Sequence, residues 1–344
     1  TIAKHPVLQT WELPIANPQQ IKIEELVTKE GRYQPGKLIR LNSAYPILTG
    51  YKNFVGAGYT VNLGDPLSFR EIEITAAYTP QAWRNGLATE ADTTNLVIDK
   101  DEQFHFAVTG KIGRLNFNFA YNPTSFYDLF GPMRTSRKGT MGRVDFTRTL
   151  LWDLPRRLDL TVGLGGFYGL EKSPEFQQIE TKGFDNNLFV NFDGTLLYTN
   201  LRGSLGAVDA EKGIKARARS ISAVSSGKAY SSAIASLDLG FQLPINHFSL
   251  WWRTSAGHSF SDSFNPFTRF GFAAFGNNYI DYQSARRYRN IFSFPGLGFE
   301  ASKFIIAKSF TKSMVEFVLP PIRFREFGGL NLYSNWMQFT LFSS

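Results

Sequence analysis

From Lys37 onward the chain alternates apolar and polar residues with a period of two, the spacing of a strand with one buried and one wet face. Leu115, Phe117, Phe119 and Tyr121 share one parity, against Asn116, Asn118 and Ala120 on the other. The same holds for Leu158, Leu160, Val162 and Leu164 against Asp159, Thr161, Gly163 and Gly165. It recurs in Leu188, Val190, Phe192, Leu196 and Tyr198 against Asn187, Asn191, Asp193 and Thr195, and in Ala235, Leu237, Leu239, Phe241 and Leu243 against Ser236, Asp238, Gly240 and Gln242. The pattern predicts strands over 37–49, 53–63, 68–79, 103–111, 114–122, 139–150, 157–169, 187–199, 213–224, 232–243, 247–259, 308–319 and 329–342. No amphipathic helix of comparable length competes. Residues 1–36 have no sustained period and carry prolines at 6, 14, 18 and 35, which reads as a linker, periplasmic if the strands cross an outer membrane.

These strands are long for a soluble sandwich, where about 5–6 residues is usual. Runs of about 9–11 residues, apolar outside and small or polar inside, are what a tilted strand needs to cross a bilayer. Connection lengths point the same way. Tight links at Gly64-Asp65-Pro66, Lys111-Ile112-Gly113, Trp152-Asp153-Leu154-Pro155 and Pro244-Ile245-Asn246 alternate with long ones around 80–102, 123–138, 170–186 and 260–307. Short turns on one rim and long loops on the other are the asymmetry of an outer-membrane barrel. Tyr78, Tyr121, Phe167, Tyr168 and Tyr198 sit near strand ends, as an interfacial girdle does. The expected architecture is an all-β transmembrane antiparallel β-barrel over 37–344, with 260–307 a long loop folding inward. An odd strand count does not close a single-chain bacterial barrel. The expectation is therefore a barrel of about sixteen strands whose last strands are absent from this chain. The competing architecture is a large soluble β protein, a sandwich or a propeller; no four-strand repeat supports the propeller.

Composition narrows the chemistry. Cysteine is absent, so there is no disulfide, thiolate metal site or cysteine nucleophile, and four scattered histidines (His5, His105, His247, His258) form no ligand cluster. No metal or cofactor is expected. No apolar run of about 18 residues exists, which excludes a helical membrane protein, and Thr1 to His5 lead into no signal-peptide core. The chain is thus expected to be a processed or excised piece. Lys+Arg exceeds Asp+Glu by 37 − 29 = +8, which suits anionic lipid headgroups. The cations alternate along strands and form no helix, finger or stacking platform, so nucleic acid is not an expected partner.

Loop and turn motifs add a resemblance. "DPL" at 65–67, "FYDLFGP" at 126–132 before Ser136-Arg137-Lys138-Gly139, "SLGAVDAEKG" at 204–213, "FGNNYID" at 275–281, "RYR" at 287–289, "SFPG" at 293–296 and "EFVLPPIRFR" at 316–325 are their carriers. Together, over about 33–344, they resemble the C-terminal barrel of bacterial surface-antigen proteins, of the outer-membrane assembly and translocation superfamily. In some members a periplasmic propeller precedes this barrel. The resemblance implies residence in the bacterial outer membrane of a Gram-negative cell, contact with the lipid bilayer and lipopolysaccharide, and periplasmic or outer-membrane protein partners. It also implies that the sixth extracellular loop folds into the lumen and presents an arginine, within V-R-G-F/Y, to acidic residues of the wall. Here Gly276, Asn277, Asn278 and Asp281 occupy that place, with Ile280-Asp281 where Arg-Gly would stand.

Arg286, Arg287 and Arg289 follow closely and can supply the missing charge, with the inward-parity Asp159, Asp193 and Asp238 as candidate partners. The alternative is that these arginines face outward, onto lipopolysaccharide phosphates or solvent. Lys215, Arg217 and Arg219 share one parity of the strand over 213–224. They form either an anion-attracting wall or, the preferred reading, counter-charges for luminal carboxylates that also fix the loop. Catalysis is not expected: His105 should point inward, but no nucleophile elbow accompanies it.

Two function classes remain. In one the barrel assists insertion or translocation of protein or lipid at the outer membrane. In the other it is a porin-like diffusion channel, or a membrane anchor for a periplasmic or surface domain. The parity assignment itself is testable by refolding titrations in lipid vesicles. Leu160→Arg, Phe192→Arg or Leu239→Arg should cost about 2–4 kcal/mol near the midplane, and Thr161→Arg or Asn191→Arg much less. Equal costs on both parities would reverse inside and outside.

Overall fold

The computed structural model describes residues 31–52, 54–83, 98–124, 126–127, 134–135, 138–170, 188–225, 227–261, 268–272, 286–296, 305–324, 327–329 and 332–344. Its main feature is one thirteen-stranded, wholly antiparallel sheet in chain order. The strands are β1 (Arg40–Tyr51), β2 (Phe54–Gly64), β3 (Arg70–Tyr78), β4 (Phe104–Ile112), β5 (Leu115–Tyr121), β6 (Thr140–Asp153), β7 (Arg156–Tyr168), β8 (Leu188–Arg202), β9 (Lys212–Ser225), β10 (Lys228–Gln242), β11 (Ser249–Ser259), β12 (Ser309–Val318) and β13 (Thr340–Ser343). Among the described residues the only helical pieces are short 3-10 turns, and no helix is long and apolar enough to cross a membrane. β1 and β13 lie at the two edges, and no pairing joins them.

Alternation built this sheet because each strand places its polar parity opposite the polar parity of its neighbour. Asp193 on β8 faces Gly163 on β7, which faces Asp145 on β6; Lys215 on β9 faces Asp238 on β10, which faces Arg253 on β11. A one-residue slip anywhere would expose an entire row of charges on the wrong face. One cavity is lined by residues from Thr147 on β6 to Met314 on β12, so the sheet curls with its polar face inward. The opposite face carries exposed Val144, Leu164, Phe192, Leu196, Phe241, Trp252 and Phe317. Exposed aromatics also stand near both ends of the strands, Tyr78, Phe104 and Tyr168 at one rim and Phe69, Trp152 and Phe241 at the other.

Twelve of the expected strands match within a few residues. The last does not: the single strand expected over 329–342 joins the sheet only at Thr340–Ser343. Before it come two-residue pairings, Ile322–Arg323 with Trp336–Met337 and Gly328–Gly329 with Leu332–Tyr333. Pro320 and Pro321, which have no N–H to give a ladder, turn the chain out of the sheet after Val318. This connection lies at the rim of the tight turns, so that rim is not uniformly short. Conversely, the short links from β1 to β2 and from β9 to β10 lie at the rim of the long loops.

Close packing on the inner face depends on glycine at a few points. A Cβ on Gly240 would stand 2.5 Å from the ring of Trp251, its cross-strand neighbour, which is itself buried. A Cβ on Gly257 would come within 2.4 Å of the Phe310 ring. The Trp251 ring, 3% exposed, has little room to retreat. Gly240→Ala should therefore lower stability by about 1–3 kcal/mol, read as a shift of the urea midpoint of the refolded protein; an unchanged midpoint would show that the Trp251 site is loosely packed.

Candidate functional site

The site grows from the inner row of β12, in which Phe310, Lys312, Met314 and Glu316 succeed one another at the strand period. Each end of this row grips the segment 286–296, which enters the curl of the sheet through a turn at Arg287–Arg289. At the Glu316 end the carboxylate is fully buried. It accepts from Arg253 Nε at 2.7 Å, from Arg289 Nε at 3.0 Å and from Tyr288 Oη at 3.0 Å, and Arg289 Nη2 closes a second bond to Oε1. Four donors saturate its acceptor sites, and two guanidiniums balance the cost of desolvating the charge. Tyr288 also stacks on Phe342 of β13, ring centroids 4.3 Å apart, so the same turn holds the last strand.

Two inward positions along, past Met314, the buried Lys312 ammonium finds no carboxylate among the described residues. Its Nζ donates to the Asn290 carbonyl at 2.9 Å, the Ser293 carbonyl at 2.5 Å and Ser293 Oγ at 3.3 Å. Three donors meet three oxygens at the end of the turn, where carbonyl dipoles favour a cation. Above it Phe310 anchors Phe270, Phe272 and Phe292 at centroid distances of 4.9, 5.1 and 5.9 Å. An ionic, a polar and an aromatic contact thus follow one another along a single strand.

The connection 203–211, between β8 and β9, reaches the same segment. Its Asp209 pairs with Arg286 and, at 3.2 Å, with Arg289 Nη1, while Arg323 donates to the Gly206 carbonyl. Glu211 anchors this connection by accepting from Ser204 N at 2.8 Å, Ser204 Oγ at 2.6 Å and His247 Nδ1 at 2.7 Å. Burial pushes the Glu211 carboxyl up, but the bonds from Ser204 and His247 outweigh it and hold the group below the usual glutamate range. Ser204 and Glu211 both address the same imidazole nitrogen, so His247 does not stand between a serine and a carboxylate as a catalytic relay requires. His105 points inward and is buried, with its nitrogens on Thr79 Oγ1 and the Asn122 carbonyl, both at 2.8 Å.

The arginines of the "RYR" region meet carboxylates other than the expected ones. Asp159, Asp193 and Asp238 do point inward, yet strand residues already occupy them. Asp159 accepts from Thr149 Oγ1 at 2.7 Å and has Arg157 at 2.7 Å; Asp193 holds Arg143 at 2.7 Å, with Arg219 at 4.0 Å; Asp238 holds Arg253 at 2.8 Å. Arg286 and Arg289 go instead to Asp209 and Glu316. The Arg287 side chain, Gly276, Asn277, Asn278 and Asp281 lie outside the described residues. Lys215 and Arg217 have no ion-pair or hydrogen-bond partner among the described residues, and of the basic row Arg219 approaches a carboxylate, Asp193, at 4.0 Å. Glu316 and Asp209 escaped the sequence reading, although Glu316 stands on the parity of Lys312 and opposite the apolar parity of Val315 and Phe317.

Comparison with known proteins finds no matching family model, no matching curated protein and no matching solved structure.

Removing the central charge is the direct probe of this arrangement. Glu316→Gln should destabilise by about 3–5 kcal/mol, because it leaves Arg253 and Arg289 buried against a neutral amide. Denaturant titration measures the loss, and limited proteolysis should cut within 286–296. A cost below about 1 kcal/mol would mean that water already screens the cluster.

Proposed function

We propose that this chain is the membrane-embedded barrel of an outer-membrane protein of the surface-antigen type, about sixteen strands in full, which assists insertion or translocation of protein or lipid. One observation carries the membrane reading: the sheet exposes its apolar face and turns its charged face inward. Val144, Leu164, Phe192, Leu196, Phe241 and Phe317 are exposed, while Asp193, Lys312 and Glu316 are buried. In water such an outer face is a large apolar patch; in lipid it is the expected wall, and aromatics at both rims suit the two interfaces. The assembly reading adds the resemblance of the turn and loop motifs to the inward segment held by Arg286 and Arg289. Lipid, lipopolysaccharide and periplasmic or outer-membrane proteins are the corresponding partners, and no step requires catalysis.

A second reading, a diffusion channel, draws on one specific feature: beside the folded segment a cavity of about 1130 Å³ remains, with Lys215 and Arg217 on its wall.

Reconstitution into vesicles separates these readings. The assembly function predicts that vesicles containing the protein speed the folding of a second, unrelated β-barrel chain relative to empty vesicles. It also predicts that deleting residues 286–293 raises conductance in planar bilayers. No acceleration together with high conductance from the intact chain would replace assembly by the channel. Failure of the folded chain to enter vesicles at all would sink both.

A further inference from the structure

The carboxylates lining the cavity beside the inward segment are all engaged, and part of its cationic wall is not. Asp159 has Arg157, Asp238 has Arg253, Asp209 has Arg286 and Arg289, and Asp193 has Arg143. Three cations in a file on β9 are either unpaired or held only at a distance. Lys215 and Arg217 reach the cavity with no ionic or hydrogen-bond partner among the described residues. Arg219 stands 4.0 Å from an Asp193 that already holds Arg143, and its Nε is buried without any hydrogen-bond partner. A buried guanidinium N–H with nothing to donate to is costly.

Register explains why the file is so weakly paired. Arg217 lies between Leu197 and Ser236, and Arg219 between Thr195 and Ile234, so their cross-strand neighbours bring hydroxyls and apolar groups but no charge. Lys215 lies between Thr199 and Asp238, but that aspartate is taken by Arg253 from the other side. Same-face residues of a strand stand about 6.6–7 Å apart, a spacing that lets one tetrahedral oxyanion bridge two neighbouring cations.

We infer that Lys215, Arg217 and Arg219 form a binding site for a phosphate-type oxyanion on the inner wall, taken as the free ion or as the headgroup of a phosphorylated amphiphile. Guanidinium forks present paired N–H donors to such an oxyanion, and the ammonium adds a compact charge. Thr195 and Ser236, directly across the strand pairs, place hydroxyls beside the two guanidiniums. The inference rests on inner-face geometry and does not require the proposed assembly function.

The test uses the full chain refolded in zwitterionic detergent at fixed ionic strength. Inorganic phosphate should bind saturably by calorimetry, and R217Q/R219Q should weaken it at least tenfold, while R148Q, on the outer face, changes nothing. In the unaltered protein, phosphate should slow phenylglyoxal modification of Arg217 and Arg219 but not of Arg148, a readout independent of whether the double variant folds. Short-chain phosphatidic acid, compared with the matching phosphatidylcholine, separates the sources. Protection by phosphatidic acid alone assigns the headgroup, and protection by inorganic phosphate assigns the free ion. If neither protects Arg217 and Arg219, or if R217Q/R219Q binds phosphate as tightly as the unaltered chain, the site does not exist. Failure of the vesicle experiments would remove the assembly function and leave this measurement untouched.

Discussion

Glu316 is the group on which the inner architecture depends. A carboxylate with no solvent exposure survives as a charge only when donors surround it, and here they come from two separate places. Arg253 belongs to the neighbouring strand, and Arg289 and Tyr288 to the inward segment. Through the Tyr288 ring the same cluster touches Phe342 on the last strand of the sheet. Sheet edge, wall and inward segment are therefore coupled at one point, and displacing the segment means leaving Arg253 and Glu316 as a buried pair with fewer donors.

Everything else on the inner face follows from the need to pair charge in a confined space. Asp209 extends the network across to the connection between β8 and β9, and Glu211, bound by Ser204 and His247, holds that connection in place. The Arg143 guanidinium spans Asp145 and Asp193 in the same way on the far side. The β9 file departs from this economy: among the described residues Lys215 and Arg217 have no ionic partner, and Arg219 Nε is buried without a hydrogen bond. The outer face obeys the opposite rule, with charge rare and apolar side chains exposed.

Much of this was legible from alternation alone. Strand positions, parity and the tight turns were readable because each depends on local residues: Asp65, for example, accepts from Leu67 N–H within its own turn. What failed was non-local. Pairing Arg289 with Glu316 rather than with Asp159, Asp193 or Asp238 depends on which strand arginine reaches each aspartate first: Arg157 stands two residues before Asp159 on the same strand, while Arg143 and Arg253 become neighbours of Asp193 and Asp238 only once register is fixed. The segment over 329–342 misled because apolar residues continue past Pro321, while the break that removes them from the sheet lies upstream. Trp251 stands on the polar parity of Ser249, Arg253 and Ser255; in the fold it is the inward residue that fills the space left by Gly240.

That pair of adjacent tryptophans offers the sharpest test of the inverted arrangement. Trp251 is buried on the inner face at 3% exposure, and Trp252, its neighbour, lies on the outer face at 46%. Two proteins, each retaining only one of these tryptophans, should be reconstituted in vesicles containing brominated lipid and their fluorescence compared. The proposed arrangement predicts strong quenching of Trp252 and little of Trp251; equal quenching of both, or stronger quenching of Trp251, would contradict it.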